Sequence, residues 1–372
     1  MKTLFLAADS LEMGSTRIWV HDLHEYFGEL GYHSAINDEE NLTDYDVVIL
    51  AKGQHKRVLE VKTKHPRALV GNINLAWIPA RFTRHLIPKP SPGHQPDEKE
   101  WNDVESERAI EEMDFLIVGS VEEGDRVLCC NENVFMFPLV ERMYTRVKVH
   151  SDHEPIVIGY HGNDLHLMEF YPHLTAALET LAKEFPIKLL AISTSGRNWQ
   201  TGRPEIDDIE ELAWRADSVE EQLLRCDIGL APGLSHVSPE ERLAIAEMLK
   251  ANYPERPSLG DYVTSFKGFS NAGRAFVFHQ LGIPAVACFM PSHFHILANP
   301  DCGYLAHSTE GWLRALRALC SSARKRQEMA DAARAEFNRL YNPLDWARRL
   351  YGQLEELMER DCLKSDEMCR LD

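Results

Sequence analysis

No stretch of this 372-residue chain approaches the roughly 18 apolar residues that a membrane-spanning helix needs. The opening MKTLFLAADSLEMG holds only a short apolar run, Thr3–Ala8, too brief for the core of an export signal. The expectation is therefore a protein kept in the cytoplasm, with Thr3–Ala8 as a first strand. Eight cysteines are present without a C-x-x-C pair, which predicts reduced, mostly buried thiols rather than a disulfide or zinc framework. Seventeen histidines occur without H-E-x-x-H or comparable spacing, so no metal centre is expected. Asp207-Asp208, in the polar stretch EIDDIEE, reads as an exposed helix start and not as a metal site. Basic excess is also lacking. The formal net charge of −18 excludes the footprint that binds nucleic-acid phosphates.

What is there is alternation. The chain is too long for one ordinary core, so two domains are expected. Strand-like runs at Thr3–Ala8, Tyr32–Ile36, Tyr45–Ala51, Ala68–Leu75, Phe115–Gly119 and Val134–Leu139 are interleaved with helical patterns at Ser15–Leu30, Arg57–His65 and Asp97–Met113. Val140–Glu154 is polar and irregular and reads as an interdomain linker. A second series follows, with strands at Ile156–Tyr160, Ile187–Ile192, Ile228–Pro232, Pro284–Cys288 and Gly303–Ala306. Helices are expected at Leu167–Phe185, Val219–Cys226, Ser270–Leu281 and from Glu310 almost to the end. Strands alternating with helices, twice over, predict an α/β protein with two Rossmann-like, doubly wound parallel sheets facing a cleft. Ligands in such sheets bind beyond the carboxyl ends of the strands. Attention therefore falls on the loops Asp9–Ser15, Gly159–Asp164, Ser193–Gly202 and Phe266–Asn271.

Four stretches carry a family likeness: IVIGYHGN (Ile156–Asn163), SVEEQLLRCDIGLAP (Ser218–Pro232), KGFSNAGRAFVFHQLGIPAVA (Lys267–Ala287) and CGYLAHSTEGWLRALRAL (Cys302–Leu319). In this order they resemble the donor domain of the GT-B fold glycosyltransferases, specifically the retaining family 4 group, which uses nucleotide-sugar donors. GSTRIWVHDL (Gly14–Leu23) and DFLIVGSVEEGD (Asp114–Asp125) match the N-terminal half more loosely. The resemblance implies an acceptor-side domain over 1–140, a nucleotide-sugar-binding domain over 155–340, and a segment 341–372 that crosses back to the first domain. It also implies transfer of a hexose-type sugar from a UDP-, GDP- or dTDP-linked donor to a glycan, lipid-linked or small-molecule acceptor, with retention. The chain departs from the family at the paired glutamates, whose places fall at Phe269 and Val277. It departs again after the first donor strand, where Asn163 and Asp164 stand in place of the Gly-Arg and Lys pattern.

Such a transfer must stabilise charge growing on a departing diphosphate, by a metal or by cations and a helix N-terminus. Lys267, Ser270, Asn271 and Arg274, clustered at the start of one helix, suit the second solution without metal or cofactor. His161 is the other catalytic candidate, at the end of a donor-domain strand. Donor contacts are expected from Gly162, Asn163, Ser193, Thr194, Ser195 and His293, the last in a loop with His295. Gly14, Ser15 and Arg17 open the first helix and are the acceptor-side candidates. Lys52–Lys89 carries nine Lys/Arg and one acid, interleaved with aromatics, and suggests peripheral contact with an anionic membrane face. The alternative reading is a GT-B protein that has lost catalysis and acts as a binding partner in glycan assembly. The missing glutamates motivate it.

Overall fold

The computed structural model describes residues 1–8, 14–75, 104–193, 199–233, 238–252 and 272–368. The chain divides into two compact units, Met1–Val140 with Tyr341–Asp372, and Glu141–Leu340. Each is built on a six-stranded, wholly parallel sheet.

In the first unit β1 (Lys2–Leu6), β2 (His33–Ile36), β3 (Val47–Leu50), β4 (Leu69–Ile73), β5 (Phe115–Val118) and β6 (Val134–Met136) lie in the order β2-β1-β3-β4-β5-β6. β3 reads VVIL and is buried along its whole length, as a strand covered on both faces must be. Successive side chains feed opposite layers. Phe5, Val47 and Ile49 face one core with Leu23, Phe27, Leu350 and Leu354. Leu4, Leu6, Val48 and Leu50 face the other with Val58, Val61 and Ile110. The long helix Pro343–Met368 is fastened here, with Tyr351 stacked on Tyr32 at 3.7 Å and its hydroxyl donating to the Met1 carbonyl at 2.6 Å.

In the second unit β7 (Ile156–Gly162), β8 (Ile187–Ser193), β9 (Ile209–Ala213), β10 (Ile228–Ala231), β11 (Ala285–Cys288) and β12 (Gly303–Ala306) take the order β12-β11-β10-β7-β8-β9. The chain leaves β7 to one side through β8 and β9, then returns to add β10 on the other. This reversal makes the β7/β10 junction the switch point where such sheets bind ligands. The helix Gly273–Gln280 lies on this junction because Gly229 of β10 lets it approach. A Cβ at Gly229 would stand 2.3 Å from the Phe278 ring.

Several expectations are corrected. The acidic stretch after Asp207-Asp208 is not a helix start but strand β9. It sits at the sheet edge, where Glu210 pairs with Lys188 and Arg225, and Glu211 with Arg203. A cross-strand lysine, two nearby arginines and an edge position accommodate charge that reads as helical from local sequence. His293 and His295 lie in the helix Pro291–Leu297, not in a loop, with proline at the first turn setting the backbone. The segment read as an interdomain linker is irregular, as expected, and over 141–154 it is tied down on the second unit. Glu220 accepts from the Thr145 and Arg146 amides at 2.6 and 2.9 Å. Lys148 donates to the Leu224 carbonyl, and the Ser151 carbonyl accepts from Arg326. The basic stretch is partly neutralised where it is described, since Lys56, Arg57, Lys62 and Lys64 all pair with acids.

Candidate functional site

β7 delivers the site. Its residues alternate across the sheet, so Tyr160 and His161 enter opposite layers and Gly162 ends the strand. Gly162 has φ +140°, a backbone that other residues avoid. Gly162 and Ser193 are register partners at the carboxyl ends of β7 and β8. Beyond Gly162 the chain winds into the 3-10 turn Asp164–Phe170. The Asn163 carbonyl accepts from the Tyr160 hydroxyl at 2.9 Å and from the His166 amide at 3.0 Å.

An ion pair lies under this turn. Arg274 Nη2, from the first turn of Gly273–Gln280, donates to Glu169 Oε2 at 2.8 Å. The other carboxylate oxygen accepts from His166 Nδ1 at 2.7 Å. The guanidinium also stands 5.7 Å over the Tyr160 ring. Burial pushes the Glu169 carboxyl up, and Arg274 draws it back. Burial opposes the charge on Arg274, yet Glu169 holds the guanidinium firmly cationic. Arg274 Nη1 is buried with no hydrogen-bond partner among the described residues.

The other candidate histidines are tied down. His161 is 5 % exposed; its Nε2 donates to the Arg274 carbonyl at 3.2 Å and its ring meets Phe278 edge-on. Burial lowers its pKa to about 4, so it is a neutral fastener between β7 and the helix. His293 is likewise buried, donates from Nδ1 to the Cys288 carbonyl at 2.9 Å, and is lowered by burial to about 4. Both sit beside the Arg274–Glu169 pair, the first through the Arg274 backbone and the second through charge.

The structure thus brings together Gly162, Asn163, Ser193, His161, Arg274 and His293 at one edge of one sheet. Lys267, Ser270, Asn271, Thr194 and Ser195 lie outside the described residues. Gly14, Ser15 and Arg17 belong to the first unit, where they begin the helical stretch after β1. Ser15 Oγ there is buried without a partner among the described residues, and Arg17 is 9 % exposed. Sequence reasoning missed Glu169 and His166. Their three-residue spacing is a local signal, but nothing local marks the link to Arg274. Among the described residues no group of three or more His, Cys, Asp or Glu is arranged to hold a metal. A pocket of about 370 Å³ is lined by Leu69, Asp114, Cys130, Asn133 and Arg360. It opens at the amino ends of β4–β6, the wrong edge for ligand binding in this architecture.

No protein-family model matches the chain, and no curated protein matches it significantly. Solved structures do. Sucrose-phosphate synthase from Thermosynechococcus elongatus superposes with a TM-score of 0.62 at 13 % identity, over 97 % of this chain and 100 % of that one. A glycosyltransferase from Rickettsia africae gives 0.58 at 10 % identity, over 96 % and 98 % of the two chains. HepE from Anabaena, solved with UDP and glucose, gives 0.57 at 11 %, over 96 % and 100 %. The likeness is one of fold: this chain has the two-sheet α/β fold of these glycosyltransferases.

Proposed function

We propose that this chain is a glycosyltransferase. It moves a hexose-type sugar from a nucleotide-diphosphate donor to a hydroxyl of a glycan, lipid-linked or small-molecule acceptor. The observation that carries the reading is the switch-point cluster of the second unit. There a bare glycine strand end, a helix first turn and a buried arginine with one unused nitrogen converge. HepE, of the same fold, was solved with UDP and glucose.

The chemistry breaks the bond from the anomeric carbon to the diphosphate oxygen and forms one to the acceptor oxygen, whose proton leaves with the phosphate. Charge grows on the departing diphosphate. Arg274 and Lys267 offer cationic nitrogens, and the Gly273–Gln280 helix adds the positive end of its dipole. Gly162 allows close backbone approach. We propose that transfer proceeds with retention and without metal, as the family resemblance implies. Basic residues in Lys52–Lys89 would bring a lipid-linked acceptor's membrane near.

A second reading, a binding partner that has lost catalysis, is favoured by Val277. This residue is buried apolar core in the helix where the family carries a glutamate. Thermal shift against UDP, GDP and dTDP with and without EDTA tests both. A ligand at a hundred times its dissociation constant adds about 2.7 kcal/mol. Stabilisation by one diphosphate, kept in EDTA, supports the donor site. Turnover of the matching sugar removes the second reading, and no shift with any nucleotide removes the first.

A further inference from the structure

We propose that Cys129 and Cys130 form a reversible redox modification site. A peroxide closes the two thiols into a disulfide between neighbouring residues, and a low-molecular-weight thiol such as glutathione opens it again. The inference concerns the first unit and stands apart from the transferase reading.

Three observations carry it. First, the two thiols are already together, with their Sγ atoms 3.6 Å apart. Second, they differ in access from the other described cysteines. Cys226, Cys288, Cys302 and Cys320 are buried, whereas Cys129 is exposed and Cys130 half-buried. Cys130 also lines the cavity of about 370 Å³ with Asp114, Asn133 and Arg360, so small molecules approach the pair from solvent and from the cavity. Third, the turn that carries the pair is fastened at both ends. The Cys130 amide donates to the Val127 carbonyl at 2.9 Å, where the helix Val121–Val127 stops. Beyond the pair, Asn131 Nδ2 donates to the Met113 carbonyl at 2.8 Å and Asn133 Nδ2 to the Asp114 carbonyl at 2.9 Å, just ahead of β6.

The chemistry proceeds in two displacements. Cys129, the more exposed thiol, attacks the peroxide as its thiolate: an S–O bond forms, the O–O bond breaks, and one water leaves, giving a sulfenic acid. The Cys130 sulfur then attacks that sulfur: the S–S bond forms, the S–O bond breaks, and a second water carries off the Cys130 proton. Two thiols are oxidised and one hydrogen peroxide is reduced to two waters. Because the second displacement is intramolecular between neighbours, it outruns further oxidation of the sulfenic acid. Neighbouring residues hold their Cα atoms about 3.8 Å apart, short of the roughly 4.4–6.8 Å that ordinary disulfides span. A bond closed across so short a distance is strained and easily reduced, which makes it a switch and not a permanent staple. Two glutathione molecules reverse it through a mixed disulfide and leave as glutathione disulfide.

The test treats the reduced full chain with hydrogen peroxide and follows the tryptic peptide Val127–Arg142 by mass spectrometry. Expected is a peptide two hydrogens lighter that maleimide no longer labels, returned to two labelled thiols by glutathione. Cys129→Ser and Cys130→Ser are each expected to lose that species, and the remaining thiol is then trapped by dimedone as sulfenic acid. Should a variant fail to fold, the wild-type peptide decides alone. Both wild-type thiols still open to maleimide after peroxide, one carried to sulfinic acid beside an intact neighbour, or chains joined to one another overturn the proposal. A disulfide that forms within the peptide but resists glutathione overturns it as well. None of these outcomes bears on donor turnover, so the transferase reading stands or falls separately.

Discussion

Arg274 and Glu169 stand 105 positions apart in the chain and meet at 2.8 Å, with the guanidinium 11 % and the carboxylate 1 % exposed. The pair joins the turn after β7 to the helix on β10, across the one place where the sheet reverses its strand order. A structural link and a candidate ligand site therefore coincide.

Breaking that pair from one side is expected to be costly. Arg274→Met takes the guanidinium away from a buried carboxylate, and the loss is about 3–5 kcal/mol at neutral pH. Arg274→Met with Glu169→Leu is expected to recover most of it, since no charge is then stranded. Urea unfolding followed by circular dichroism measures both. A single variant within about 1 kcal/mol of wild type contradicts a tightly buried pair.

Gly162→Ala is expected to lower stability by about 1–3 kcal/mol, because its φ of +140° strains any side chain. The new methyl also stands 3.3 Å from the Tyr160 hydroxyl, which disturbs the turn that carries His166. Nucleotide affinity should fall with stability. An unchanged midpoint and unchanged affinity together would remove the strained strand end from the account.

Much of the fold was legible in the sequence. Apolar runs such as VVIL and AVAC, separated by helical periodicity, predict a doubly wound α/β chain, and both sheets are wholly parallel. The misreadings lie where tertiary context overrides local pattern. β9 carries acids that only Lys188, Arg203 and Arg225 make tolerable. That the linker over 141–154 is tied down as a strap is not visible locally, because its partners, Glu220, Gln327 and Arg326, lie far along the chain. The site was half visible. Arg274 and Gly162 belong to recognisable motifs, whereas Glu169 gains meaning only through a contact 105 residues away.

Acid should weaken the second unit through its buried histidines. Burial lowers His161 and His293 to about 4 and His279 to about 3, below the ordinary histidine value of 6.5. The unfolded chain then binds protons that the folded chain refuses. Stability is full above pH 6.5 and falls as the pH drops toward 4, by up to about 1.4 kcal/mol per pH unit for each histidine. Denaturant midpoints between pH 7 and 4.5 test this, and His279→Leu should flatten the slope. A flat profile contradicts neutral buried imidazoles.

The strap depends on Asp227, which is fully buried and accepts from the Val157 amide at 2.9 Å and from His153 at 3.1 Å. Lys148 Nζ lies 3.2 Å from the same carboxylate. Asp227→Ala is expected to cost about 3–5 kcal/mol, the range for an uncompensated buried charge. Cleavage by trypsin at Arg146 and Lys148 should accelerate. Equal proteolysis rates in variant and wild type would contradict a strap held from this point.

The central claim is nucleotide-sugar-dependent glycosyl transfer, and its most direct test is donor turnover. The purified chain is incubated with UDP-, GDP- and dTDP-hexoses, and released nucleoside diphosphate is separated and quantified with and without a pool of hydroxyl acceptors. The account predicts that one donor class is consumed, faster with acceptor present and unaffected by EDTA. It also predicts that Arg274→Met abolishes the release. Folded protein that neither consumes nor binds any of these donors would contradict it.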